Sequence, residues 1–235
     1  MSDAPLLAVS KLNAWYDESH VLHGVEFDVH PGEVVSLLGR NGAGKTTTLR
    51  ALMGLISRRE GSAIFNGRDL IPMRSDHIAR AGIGYCPEER GIFSTLTVEE
   101  NLTLPPRVAP GGLDLDSIFQ LFPNLTARLN SQGTRLSGGE QQMLAIARIL
   151  RTGARMLLLD EVTEGLAPVI VQQIGRTVLE LKKRGFTILL VEQNLRFAQS
   201  VTDRHFIMEL GRVVDMVQAE EYTQNIGKLN RYLGT

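Results

Sequence analysis

The stretch "EVVSLLGRNGAGKTTTLRALMGL", residues 33–55, limits the possible folds of this chain more than any other. Residues 33–39 form a short apolar run suited to a buried strand. Residues 45–55 carry Leu49, Leu52 and Met53 at helical spacing, so a helix is expected directly after it. Between the two, Gly39, Arg40, Asn41, Gly42, Ala43, Gly44, Lys45, Thr46 and Thr47 satisfy the pattern G-x-x-x-x-G-K-[ST]. At a strand-to-helix junction such glycines let backbone N–H groups curl around phosphate, and the helix N-terminus adds favourable electrostatics. Lys45 is then expected at the β and γ phosphates of a nucleotide, with the Thr46 hydroxyl on Mg²⁺. The alternative is a glycine-rich turn with an exposed lysine, and the flanking strand and helix argue against it.

The rest of the chain continues the alternation. "RMLLLD" (155–160) and "FTILLVE" (186–192) read as buried strands, with a helix expected over 168–184, opened by Pro168 and stopped at Gly185. This is the pattern of a parallel sheet with crossover helices. The N-terminal runs 6–16 and 23–33 look instead like antiparallel strands joined by turns. From 88 to 154 strand signals vanish, and "PPRVAPGG" (105–112) breaks the chain. The expected fold class is therefore α/β: a mostly parallel sheet plus an N-terminal antiparallel β subdomain, residues 1–87 and 155–235, with a helical subdomain inserted at 88–154.

Composition removes several function classes. The 235 residues, 43% of them hydrophobic, can bury an ordinary core. Lys and Arg total 25 against 26 Asp and Glu, so no basic surplus points to nucleic acid as a partner. Cys86 is the sole cysteine, which excludes an internal disulfide and a multi-cysteine metal site. It is expected to be a small buried residue. No apolar run approaches the ~20 residues needed to cross a bilayer. Any work at a membrane is then done through a partner.

Two further segments carry chemistry. "RMLLLDE" ends a buried strand on adjacent carboxylates, Asp160 and Glu161. Beside a phosphate loop, Asp160 is placed to hold Mg²⁺ and Glu161 to polarise an attacking water. "LSGGEQQMLAIARIL" (136–150) opens on Ser137, Gly138 and Gly139 and continues with apolar residues at helical spacing, a second helix N-terminus suited to anions. Two such helix ends with one phosphate loop make sense if molecules pair.

Taken in this order, the motifs resemble those of the ATP-binding subunits of ABC transporters, whose signature is LSGGQ and whose subunits sandwich ATP head to tail. The resemblance covers nearly the whole chain. It implies ATP hydrolysis with ATP and Mg²⁺ as cofactors, and a second ATP-binding subunit whose γ-phosphate is met by Ser137, Gly138 and Gly139. It also casts Tyr16 as the aromatic that stacks on adenine. Transmembrane permease subunits follow as partners, with the chain peripheral on the cytoplasmic face of the inner membrane.

Four positions depart from the usual family pattern. Glu88 stands where the family has a glutamine; its carboxylate can still ligate the metal but adds negative charge. Ala167 replaces a loop aspartate, Gln193 a histidine and Val162 a proline. A neutral amide at 193 can hydrogen-bond a γ-phosphate and cannot titrate. "PEERGIFSTLTVEENL" (87–102), "SGGEQQMLAIAR" (137–148), "EGLAPVIVQQI" (164–174) and "VEQN" (191–194) resemble the smaller, F-type ATPase of branched-chain or hydrophobic amino acid uptake systems. That implies two different ATPases, two permease subunits and a periplasmic solute-binding protein. The alternative is a non-transport ABC ATPase acting in assembly or regulation.

Overall fold

A computed structural model describes residues 4–233. Strands and helices are numbered along the chain. The N-terminal part is an antiparallel sheet of β1 (Leu7–Tyr16), β2 (Ser19–Val29), β4 (Arg58–Phe65) and β5 (Arg68–Asp69), ordered β2-β1-β4-β5. The central sheet contains β3 (Val34–Leu38), β6 (Ile83–Cys86), β7 (Met156–Asp160), β8 (Thr187–Glu192), β9 (Arg204–Glu209) and β10 (Arg212–Gln218). Its order is β10-β9-β3-β8-β7-β6, parallel throughout except for the β9–β10 hairpin.

β3, β7 and β8 are buried along their whole length, as expected of strands covered on both faces. The period of two sorts their side chains. Val35, Leu37, Met156, Leu158, Leu189 and Val191 join the core under α1 (Lys45–Leu52) and the N-terminal sheet. Val34, Leu157, Leu159, Ile188 and Leu190 face the opposite way, into the core shared with α6 (Gly138–Arg151) and α7 (Pro168–Lys183). On α7, Ile174, Val178 and Leu181 recur every three or four residues on the buried stripe.

Two short helices, α2 (Ser75–Arg80) and α3 (Val98–Thr103), flank β6 in sequence, and α4 (Leu115–Leu121) and α5 (Pro123–Thr126) precede α6. Among the described residues from 88 to 154 the only strand-type pairing is the bridge Thr97–Gln132. The C-terminal part adds α8 (Leu195–Val201) and α9 (Tyr222–Leu233), whose buried Leu229 packs on Leu38, Ile207 and Val217. Among the described residues no helix is long and apolar enough to cross a membrane.

Several elements differ from the sequence expectation. α1 ends at Leu52, because Gly54 at φ 69 turns the chain so that its amide meets the Ala51 carbonyl and the Leu55 amide the Arg50 carbonyl. β2 begins at Ser19 and ends at Val29, displaced from the expected 23–33. β4, β6, β9 and β10 carry no clear strand signal in the sequence. β4 opens on Arg58, Arg59 and Glu60, and β10 is an edge strand with exposed Val214 and Met216. β4, β6 and β9 pair with strands distant in the chain, while β10 folds back on β9 across the turn at Leu210 and Gly211.

Candidate active site

The phosphate loop begins where β3 ends. A Cβ on Gly39 would lie 2.5 Å from the Met208 carbonyl oxygen, so the loop leaves the sheet only through a residue without a side chain. Gly44, the residue before α1, has φ 105, and a Cβ there would lie 2.9 Å from Leu22 Cδ2. The turn between β9 and β10 steadies the loop from the side. The Gly211 amide donates to the Ala43 carbonyl at 2.9 Å, and the Gly211 carbonyl accepts from the His23 amide at 2.8 Å.

A cavity of about 340 Å³ opens over this loop, lined by Asn41, Gly42, Gly44, Lys45, Thr46 and Thr47 together with Val21, Glu88, Glu161 and Glu164. Lys45 is only 4% exposed. Its Nζ donates to the carbonyls of Gly39 at 2.9 Å and Arg40 at 3.2 Å, and lies 3.1 Å from Glu161 Oε1. Arg40 itself is exposed. Glu161 sits at φ 46, in the left-handed region, immediately after β7. Gln193, one residue beyond β8, donates from Nε2 to Glu161 Oε2 at 2.7 Å. Both oxygens of Glu161 are thus engaged, one by a cation and one by an amide.

Asp160, the last residue of β7, is fully buried. Its Oδ1 accepts from the Thr46 hydroxyl at 2.9 Å and its Oδ2 from the Tyr85 hydroxyl at 3.0 Å. Burial pushes this carboxyl above the usual range, the two hydroxyls pull it down, and Glu161 and Glu88 add to the rise. Glu164 is also raised, first by sharing a hydrogen bond with Glu161.

The structure therefore brings together Lys45, Thr46, Asp160, Glu161 and Gln193, with Glu88 on the cavity rim. Ser137, Gly138 and Gly139 are not among the lining residues. Ser137 caps α6, its hydroxyl accepting from the Glu140 amide and its own amide donating to the Glu140 carboxylate at 2.7 Å. Gly139 is packed against Ile170. Tyr16 is half-exposed at the end of β1, outside the lining.

Tyr85, Glu164, Thr163 and Glu192 escape a reading of the sequence. Glu192 ends β8 and is 2% exposed; it accepts from the Thr163 amide at 3.2 Å and hydroxyl at 2.9 Å, tying the turn after Glu161 to the strand before Gln193. Its position as the final polar residue of an apolar strand was the available signal. Burial raises its carboxyl from 4.5 to about 7. Below pH 4.5 both folded and unfolded states hold the proton. Between 4.5 and 7 the unfolded chain ionises while the folded one does not, so stability falls as pH rises through this window. Glu192→Gln is expected to exceed wild type in stability by up to about 3 kcal/mol above pH 7. The gain should vanish near pH 4, as urea unfolding of both proteins across pH would show.

Buried carboxylates, a phosphate-type loop and a lysine at the C-terminal ends of parallel strands define a nucleotide-hydrolysing site. Comparison with known proteins agrees. The ABC transporter family matches residues 22–164. The chain is 41% identical to the high-affinity branched-chain amino acid transport ATP-binding protein BraG of Pseudomonas aeruginosa, over 89% of this chain and 91% of that protein. It is 32% identical to the lipopolysaccharide export system ATP-binding protein LptB of Haemophilus influenzae, over 97% of each. Among solved structures, a nucleotide-free ATP-binding cassette from an ABC transporter superposes with a TM-score of 0.84 at 25% identity, covering 98% of both chains. The chain belongs to the ABC transporter ATP-binding family and is an ATPase.

Proposed function

We propose that the chain is the ATP-hydrolysing subunit of an importer for branched-chain or other hydrophobic amino acids, or related small solutes. The convergence of Lys45, Thr46, Asp160 and Glu161 over the phosphate loop carries the chemical part of this reading. Residues Gly39 to Thr47 cradle the phosphates, Lys45 neutralises the β and γ groups, and Tyr16 stacks on adenine. Glu161 accepts the proton of the attacking water, and Gln193 orients Glu161 while offering its amide to the γ-phosphate.

The residues present suit Mg²⁺. Thr46 and Asp160 touch, and Glu88 borders the same cavity. All three are hard oxygen donors, of the kind that binds Mg²⁺ alongside nucleotide phosphates. Bound by Thr46, Asp160 and Glu88, the ion would neutralise charge on the phosphate oxygens.

Ser137, Gly138 and Gly139 lie outside the chain's own cavity, which supports a shared site: they complete the nucleotide site of a second ATP-binding subunit, identical or different. Ser137→Arg is expected to leave ATP binding to the single chain within about twofold and to cut turnover roughly a hundredfold. Loss of the α6 cap costs only about 1 kcal/mol, too little to unfold the protein. Undiminished turnover in the variant, or wild-type specific activity that does not fall on dilution to monomer, would count against the shared site.

The solute rests on the 41% identity to BraG. In this reading the chain sits peripherally on transmembrane permease subunits at the cytoplasmic face, and a periplasmic solute-binding protein serves the complex indirectly. The 32% identity to LptB favours a second reading, an export ATPase. Purifying the tagged chain from its native membranes and identifying the permease bound to it decides between them. An amino acid permease supports import and a lipopolysaccharide export permease supports the second reading. Recovery with a soluble assembly or regulatory complex alone would sink both.

A further inference from the structure

Tyr85 has no place in the chemistry described so far, yet it touches the centre of it. It lies on β6, an edge strand paired in parallel with β7, opposite Leu158. From there its hydroxyl reaches along the neighbouring strand to Asp160 Oδ2 at 3.0 Å. The other Asp160 oxygen is held by Thr46 at 2.9 Å. A carboxylate on one rotatable bond could turn either oxygen, or neither, toward a metal; here each oxygen has its own hydroxyl partner.

The phenol also has a cation near it. The Arg50 guanidinium, on α1, lies near the Tyr85 hydroxyl and pairs with Glu89 at 3.0 Å. The Tyr85 hydroxyl gives its single proton to Asp160, since an ionised carboxylate can only accept. The two hydroxyl donors converge on the carboxylate, Tyr85 on one oxygen and Thr46 on the other. One comes from the edge strand β6 and the other from the first turn of α1.

We propose that Tyr85 is a positioning residue that turns Asp160 Oδ2 away and presents Oδ1, beside Thr46, to the Mg²⁺ of the bound nucleotide. This rests on the reading of Thr46 and Asp160 as the metal-holding pair. Groups that aim a metal ligand without touching the metal typically change metal affinity 10–100-fold when removed. A phenylalanine keeps the ring and its packing and removes only the aim.

The test measures binding without turnover. The full-length protein is titrated with a fluorescent ADP derivative at graded Mg²⁺ concentrations, and melting temperature is recorded in EDTA. Wild type is expected to bind more tightly as Mg²⁺ rises. In Tyr85→Phe the half-effect Mg²⁺ concentration should rise roughly tenfold, while affinity in EDTA stays as in wild type. Arg50→Gln leaves the phenol but removes the cation beside it, and should shift the half-effect in the same direction by roughly threefold. It decides the matter if the phenylalanine variant does not fold. Asp160→Asn should lose the Mg²⁺ effect.

A wild-type half-effect in Tyr85→Phe, or in Arg50→Gln where only that variant folds, would overturn the positioning role even if the melting temperature falls. The hydroxyl would then merely satisfy a buried carboxylate. Should Asp160→Asn retain the full Mg²⁺ effect, the metal-holding pair itself would be misassigned.

Discussion

Replacing Glu161 with Gln is expected to slow ATP hydrolysis by roughly 10²–10⁴-fold and to leave ATP binding intact. The carboxylate lies 3.1 Å from Lys45 and accepts from Gln193 at 2.7 Å, at the edge of the nucleotide cavity. An amide has the same outline. Its oxygen can still accept from Lys45, and Gln193 can turn its own amide to offer an oxygen to the new NH₂ group, so no buried polar atom loses its partner. What disappears is the ability to take a proton from water. Single-turnover hydrolysis and equilibrium ATP binding, measured on the same preparation, separate the two effects. A variant that still hydrolyses at the wild-type rate would assign the general base elsewhere, leaving Glu161 as the structural partner of Lys45. Because binding persists without turnover, this variant should also accumulate as an ATP-bound dimer on size exclusion, which wild type should not.

Lys45→Ala is expected to weaken ATP binding by a hundredfold or more, since it removes the charge-assisted hydrogen bonds that a buried cation makes to phosphate, each worth about 1.5–3 kcal/mol. Turnover falls with it. The variant carries a second consequence that the ion pair makes unavoidable. Lys45 and Glu161 are both buried, and deleting the lysine leaves a carboxylate without its cation, a change that costs about 3–5 kcal/mol in buried pairs. Melting temperature must therefore be measured beside affinity. The double variant Lys45→Ala with Glu161→Gln removes the stranded charge, and its stability should recover while ATP binding does not. Recovery of binding along with stability would mean that Lys45 acts through the fold and makes no contact with phosphate.

The residues that contact one another in the site come from distant parts of the chain, and this separates what was legible in the sequence from what was not. Thr46 and Asp160 are 114 residues apart, and Gln193 and Glu161 are 32 apart. The sequence alone determined the phosphate loop, the buried strands β3, β7 and β8, the helix α7 and the helix that opens at Ser137. Each is specified by nearest neighbours: glycines that free the backbone, an unbroken apolar run, or a 3.6-residue period. The same local signals placed Asp160 and Glu161 at a strand end. They could not say which side chain would meet them there. That Lys45 closes on Glu161, that Gln193 covers its other oxygen, and that Tyr85 meets Asp160 follow from the strand order β10-β9-β3-β8-β7-β6. β4, β6, β9 and β10 were likewise invisible: β4, β6 and β9 are held by strands far away in the chain, and β10 is an edge strand on its hairpin partner β9. Backbone conformation is set within a few residues, and strand order by which buried faces fit together. The sequence therefore determined the ends of the elements where chemistry sits, and only the tertiary structure decided which of those ends share a site.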